Sequence, residues 1–235
     1  MSLTALREWT SATLDFVYPP LCLGCEEPRE LQSIFCERCS GAVSYLEHPL
    51  CLNCLGPIET GTTCSSCRTE LPLFALGDHI GPLQQAVIGL KFRQVRRVAE
   101  WAAAELCGRL GKRIAELKAT ALVPVPLHPR REYFRGFNQA ELFAEKIADC
   151  LDLDLRCDLA ARAKHRGVQS RISGTEQRLA NVKGVFSPLV TADNCDRLLI
   201  VDDVVTSGAT VGELARVLNA AGHKVVGVLA IAHRG

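Results

Sequence analysis

The chain has 235 residues, enough for one large domain or for a small one plus a medium one. With 48% hydrophobic and 23% charged residues its composition is globular and excludes a disordered chain, and no stretch approaches the ~20 uninterrupted apolar residues that would span a bilayer. The net charge of +1 is split: residues 1–75 hold four arginines against nine acids (net −5), and residues 76–235 hold 23 bases against 17 acids (net +6), so an anionic ligand is expected to prefer the back of the chain.

Residues 1–20 place Leu3, Leu6, Leu14 and Val17 on roughly one side of an expected helix. They lack the basic start, apolar middle and small-residue cleavage site of a signal peptide. The expectation is a cytoplasmic protein, peripheral to the inner face of the membrane at most through partners. In a reducing compartment clustered cysteines read as metal ligands rather than disulfides.

Eight of the 12 cysteines fall in four C-x-x-C pairs: Cys22/Cys25, Cys36/Cys39, Cys51/Cys54 and Cys64/Cys67. Such a turn puts two thiolates on one side of a tight loop, and two turns complete a tetrahedral zinc site. Ten residues separate Cys25 from Cys36 and nine separate Cys54 from Cys64, a near-repeat that predicts two consecutive zinc ribbons over 21–72. First with second and third with fourth is the favoured pairing; interleaving stays open. With every ligand position a cysteine, two structural zinc ions are expected. Most of Cys107, Cys150, Cys157 and Cys195 read as small buried hydrophobes.

From about residue 74 the pattern becomes strands alternating with helices, up to residue 235. Val95, Val98, Ala99, Ala102, Leu106 and Leu110 follow helical spacing, with Gly111 a candidate terminator. Ala121–Val125 reads as a buried strand. Asn138, with Glu141 three residues on, reads as a helix start. Leu198–Val201 and Val225–Ile231 read as buried strands around a helix from about Thr210 to Ala220. The fold class is α/β: a mainly parallel central sheet flanked by helices, with its ligand beyond the carboxyl ends of the strands.

Leu198–Thr210 carries the most chemistry. An apolar strand delivers Asp202 and Asp203, followed by Val204, Val205, Thr206, Ser207, Gly208, Ala209 and Thr210 and then a helix. Small residues let backbone N–H groups approach a phosphate, and the helix N-terminus and three hydroxyls add donors. Paired carboxylates can take ribose hydroxyls directly or through Mg2+.

This string resembles the phosphoribosyl pyrophosphate signature of type I phosphoribosyltransferases. Val17-Tyr18-Pro19-Pro20, Lys91-Phe92 after a short helix, Pro124-Val125-Pro126-Leu127 and Arg135-Gly136-Phe137-Asn138-Gln139 resemble the ComF family of competence proteins. So does the stretch with Arg162, Gln169, Arg178, Asn181 and Phe186; Arg166-Gly167-Val168 departs from the hydroxyl-rich pattern. The likeness covers about residues 17–233. It implies a phosphoribosyltransferase-like domain over 73–235. Asp202 and Asp203 would be catalytic, holding ribose hydroxyls and Mg2+, and Val204 with Thr206 to Thr210 would hold the 5′-phosphate. Arg130, Arg131 and Arg135 in the loop after Val125, with Arg162 and Arg178 in a basic stretch from Arg156 to Lys183, would serve the pyrophosphate or a lid.

Three functions follow: a phosphoribosyltransferase with a nitrogen acceptor the sequence does not name; a phosphoribosyl pyrophosphate sensor without turnover; or a handler of single-stranded DNA in natural transformation, working with a protein of the competence machinery. The last would use Lys91, Arg93, Arg96 and Arg97, with Arg109, Lys112, Arg113 or the Arg156–Lys183 stretch. Phe92, Trp101, Tyr133, Phe134 and Phe137 lie near such charges. No histidine stands out as a general base among His128, His165, His223 and His233.

Overall fold

A computed structural model describes residues 20–31, 33–162, 184–191 and 196–234. The expected helix over 1–20 lies outside them except for Pro20, as do Arg166–Val168, Gln169, Arg178, Asn181, His165 and Cys195.

Six strands form the main sheet in the order β1-β2-β8-β7-β3-β4. They are β1 (Leu50–Cys51), β2 (Pro72–Asp78), β3 (Ala121–Pro124), β4 (Asp154–Leu155), β7 (Arg197–Val205) and β8 (Lys224–His233). Every pairing is parallel except β1 with β2. β5 (Ala160–Arg162) and β6 (Phe186–Pro188) make a separate antiparallel pair. The α/β expectation with a mainly parallel sheet is borne out. Strands β7 and β8 are buried nearly end to end, as a sheet covered on both faces requires.

One face packs α2 (Gly81–Phe92), α3 (Arg97–Ala115) and α5 (Gln139–Leu151) through Leu90, Leu106, Phe143 and Ile147 onto Leu199, Val201 and Leu229. The other packs α6 (Ala209–Ala220) through Val211, Leu214 and Leu218 onto Leu198, Ile200 and Val228. The cysteine-rich front straddles the sheet edge. Cys22, Phe35 and Cys39 join the first core, and Leu50 and Leu52 join the second. Gly77 permits the crossing: Tyr45 bridges it, and a Cβ there would overlap the Ser44 carbonyl oxygen. A short helix, α1 (Glu37–Gly41), follows Cys36.

Four expectations change. Cys150 and Cys157, read among the small buried hydrophobes, are exposed, and Cys107 is half-buried. Gly111 does not end its helix: α3 runs on to Ala115 because buried Ile114 continues the apolar stripe. The segment after Val125, read as a loop, holds a helix, α4 (Pro129–Arg135), started by Pro129 and by the His128 imidazole, which accepts from the Arg130 N–H at 3.2 Å. Strand β7 runs past both acids to Val205, paired with β8 through Val205–His233, so the acids lie inside the strand rather than at its end.

Candidate zinc ribbons and anion site

Cys22, Cys25, Cys36 and Cys39 form one cluster, and Cys51, Cys54, Cys64 and Cys67 another; within each, the Sγ atoms lie within 4.8 Å of one another. Cys25 Sγ and Cys36 Sγ are 3.6 Å apart, as are Cys54 Sγ and Cys64 Sγ. Tetrahedral thiolates at ~2.3 Å from zinc stand about 3.8 Å apart, so both sets fit the ion. The sequential pairing is the one formed. Backbone N–H groups aim at the sulfurs: Gly24 and Cys36 donate to Cys22 Sγ at 3.3 and 3.2 Å, and Cys67 donates to Cys64 Sγ at 3.4 Å. Gly24 is needed here, since a Cβ would come 2.8 Å from Cys39 Sγ.

These donors divide the thiols. Burial pushes Cys22 up, but the N–H groups of Cys36, Cys25 and Gly24 outweigh it and bring it down to about 6. Burial and the neighbouring thiols hold Cys39 up at about 12. In the second set the Cys67 N–H draws Cys64 down to about 7, and the Cys54 thiol beside it holds Cys67 up at about 12. Four thiols this close ionise together only around a cation, which the all-cysteine donor set suits.

Arginines from the helical layer hold the ribbons. Arg97 Nη1 donates to Leu31 O at 2.7 Å, and Arg93 pairs with Glu26 at 3.4 Å. Arg113 donates to the carbonyls of Ile58, Glu59 and Gly61 at 3.0–3.2 Å. Arg109 lies 3.4 Å above the Tyr45 ring.

At the other centre, successive side chains of β7 alternate faces. Asp202 lines a recess of about 30 Å3 with Val204, Val205, Thr206, Gly208, Ala209, Thr210 and Val211. Asp203 turns to the opposite face, where Oδ1 meets Lys91 Nζ at 2.9 Å. Asp203 is 4% exposed, and its Oδ2 has no hydrogen-bond partner among the described residues. Burial first, and then the Asp203 charge, push Asp202 up to about 8, opposed by its bond from the Asp203 N–H (2.8 Å), by Lys91 and by Arg162. The turn ends on Gly208, at φ +70°, which caps α6 and accepts from the Gly212 N–H at 2.8 Å. The α6 N-terminus thus opens beside Asp202 with small residues and hydroxyls around it, and a helix end of this kind favours negative charge.

The arginine candidates separate. Arg162 on β5 lies over Phe186 at 5.6 Å; burial and Arg131 lower its affinity for its proton, and Asp202 opposes them. Arg162 therefore lies between the charges of Arg131 and Asp202. Arg130 lies over Phe134 at 5.8 Å, while Arg135 donates to Gln139 and lies over Phe92 at 5.6 Å. Arg178 is outside the described residues. Of the nucleic-acid candidates, Lys91, Arg93 and Arg97 face Asp203, Glu26 and Leu31, and Arg96 lies over Phe137 at 5.1 Å.

Sequence reading missed His79. It follows β2, its Nδ1 is buried without a partner among the described residues, and burial together with Lys91 and Arg234 lowers its basicity. The mark available was an Asp-His pair after an apolar run. His233 Nε2 meets Asp78 at 2.8 Å, and His223 meets Asp196 at 3.2 Å.

The chain is thus a double zinc-ribbon protein with an α/β domain that carries an acidic strand and an anion-type turn. A family model described as the double zinc ribbon domain matches residues 13–68. The chain is 29% identical over 222 residues to competence protein F of Haemophilus influenzae, covering 90% of each. It is 32% identical over 211 residues to DNA utilization protein YhgH of Salmonella typhi, covering 85% of this chain and 91% of that one. Over 119 residues, half of each chain, it is 34% identical to competence protein ComFC of Streptococcus pneumoniae. The chain belongs to the ComF family of competence proteins.

Proposed function

We propose that this protein acts in DNA uptake during natural transformation, and that its domain over 73–235 binds phosphoribosyl pyrophosphate with Mg2+. Relatives named for competence and DNA utilization support the first part. One observation carries the second: Asp202 faces the same recess as the Thr206–Thr210 turn, whose left-handed Gly208 starts α6.

In this reading the backbone N–H groups of the turn, with Thr206, Ser207 and Thr210, hold the 5′-phosphate. Asp202 accepts hydrogen bonds from the ribose hydroxyls, and Arg131 and Arg162 neutralise the pyrophosphate. Mg2+ would supply further charge neutralisation on the pyrophosphate and suits the carboxylate of Asp202. With a nitrogen acceptor, the C1′–O bond to pyrophosphate breaks, a C1′–N bond forms, and the acceptor gives up a proton. Without one, the same contacts make a sensor. The ribbons (21–72) dock on this domain as a scaffold, and the protein works in the cytoplasm, reaching the inner membrane face through competence partners.

The test is calorimetric titration of phosphoribosyl pyrophosphate with Mg2+ into wild type and Asp202→Asn, with pyrophosphate release assayed in the same samples. Saturable binding lost in the variant supports the pocket, and release with a nitrogen acceptor marks an enzyme. No binding by the folded, zinc-loaded chain sinks the reading.

A second reading, single-stranded DNA binding, is favoured by Phe92, Tyr133 and Phe134, which are 72%, 85% and 74% exposed beside Arg130 and Arg135. Exposed rings among arginines are what base stacking on a basic track requires.

A further inference from the structure

The second zinc ribbon touches the 206–210 turn at Leu52. Leu52, between ligands Cys51 and Cys54, packs on Gly208. A Cβ on Gly208 would lie 3.2 Å from both Cδ1 and the carbonyl oxygen of Leu52. Leu52 is buried in the same core as Val205 and Val211, which flank the turn. Beyond this contact the ribbon and the helix part around a groove of about 710 Å3, walled by Asn53, Thr69 and Leu71 on one side and by Gly212 and Arg216 on the other.

The backbone behind Leu52 is held by the knuckle itself. Leu55 N–H donates to Cys51 O at 2.8 Å, Cys51 N–H donates to Gly56 O at 2.8 Å, and Leu52 N–H donates to Leu71 O at 3.2 Å. Cys51 is fully buried, and its thiol is pushed up by burial. A metal that fixes Cys51 and Cys54 therefore fixes Leu52 between them. The first ribbon offers an internal comparison: its Cys22, Phe35 and Cys39 pack into the opposite core, away from the turn.

We propose that Leu52 is a positioning residue for the 206–210 turn, so that zinc at Cys51/Cys54/Cys64/Cys67 and a phosphate group on the turn strengthen each other's binding. The phosphate half rests on the reading of the turn given above; the contact half does not. Coupling between two sites is reciprocal: if zinc tightens the phosphate ligand by some factor, the ligand tightens zinc by the same factor, typically about 5–150-fold. Metal loading of the ribbon would then set whether the α/β domain can hold a sugar phosphate.

The experiment uses the full chain loaded with zinc and ribose 5-phosphate as the probe. Chelator is added, freed thiols are alkylated, and each cysteine is followed by mass spectrometry with and without the probe. The expected result is that ribose 5-phosphate slows exposure of Cys54 and Cys67 about fivefold or more and leaves Cys25 and Cys36 unchanged. Leu52→Ala, with zinc still bound, abolishes that selectivity, and Leu52→Met restores it; Leu52→Val serves where the alanine variant does not load zinc. In a second arm without ligand, Cys54→Ser speeds amide exchange at residues 206–212 while the β7 and β8 amides stay protected. Equal protection of both cysteine sets, retained selectivity in Leu52→Ala, or unchanged exchange at 206–212 overturns the proposal. If wild type does not bind ribose 5-phosphate, the phosphate reading fails, and the exchange arm still decides whether the metal holds the turn.

Discussion

Asp202 and Asp203 are adjacent in sequence, yet β7 sends their carboxylates to opposite faces, one to the anion recess and the other to Lys91 at 2.9 Å. The pair therefore splits its work. Asp202 faces the recess beside α6, while Asp203 anchors the end of α2 to the sheet.

This anchor gives the first prediction. Lys91→Ala leaves a buried carboxylate without its cation, and breaking a buried pair costs ~3–5 kcal/mol. Lys91 keeps some contact with solvent, so a loss of about 2 kcal/mol is expected in urea unfolding of the zinc-loaded chain. Lys91→Met with Asp203→Leu should recover most of it. A change below about 0.5 kcal/mol in Lys91→Ala would show that the pair carries no such weight.

The opposite orientation of the two acids follows from the period of two along a strand, and was legible once the strand was known to continue. Its length was not legible, because two acids interrupt the apolar run and Val204-Val205 then reads as the start of the turn. Pairing with β8 out to His233 is a tertiary effect. The ribbons were legible because metal geometry imposes its spacing on the sequence. The α4 helix was not, because none of its residues is buried and no apolar stripe marks it. Arg97 and Arg113 looked like free charge because their partners are backbone carbonyls 66 and 52–55 positions away.

Asp202 gives a pH prediction. Burial holds its folded value up at about 8, above the ~3.9 of an unfolded aspartate. Between those values the folded chain keeps a proton that the unfolded chain has lost, so this group subtracts stability as pH rises and its full cost is reached above 8. Asp202→Asn should therefore be more stable than wild type, with the gap widening from pH 6 to 8. Phosphoribosyl pyrophosphate with Mg2+, which favours the carboxylate, should release a proton on binding at pH 7. Titrations in buffers of different ionisation enthalpy would detect it in wild type and not in the variant.

Arg113 ties the second ribbon to α3 through three carbonyls. Hydrogen bonds from a charged donor contribute ~1.5–3 kcal/mol when buried and less at this partly exposed site. Arg113→Ala should cost about 1–2 kcal/mol and speed zinc loss from Cys54 and Cys67 while sparing Cys25 and Cys36, read by chelator challenge. Equal rates at both sites would show that the ribbon needs no such clamp.

The aromatic track gives the last prediction. Tyr133 and Phe134 meet edge to face at 5.8 Å on α4, Arg130 lies over Phe134, and Arg135, from the same helix, lies over Phe92 of α2. Stacking contributes ~1–3 kcal/mol per base. Replacing Phe92, Tyr133 and Phe134 together by alanine should weaken single-stranded oligonucleotide binding at least tenfold at fixed salt, and leave the salt slope nearly unchanged because the phosphate contacts remain. Arg130→Ala with Arg135→Ala should do the reverse, flattening the slope by about one contact each. The rings lie apart from the Asp202 recess, so the triple variant should still bind phosphoribosyl pyrophosphate; if it binds DNA as wild type does, the strand runs elsewhere and these rings belong to a protein contact.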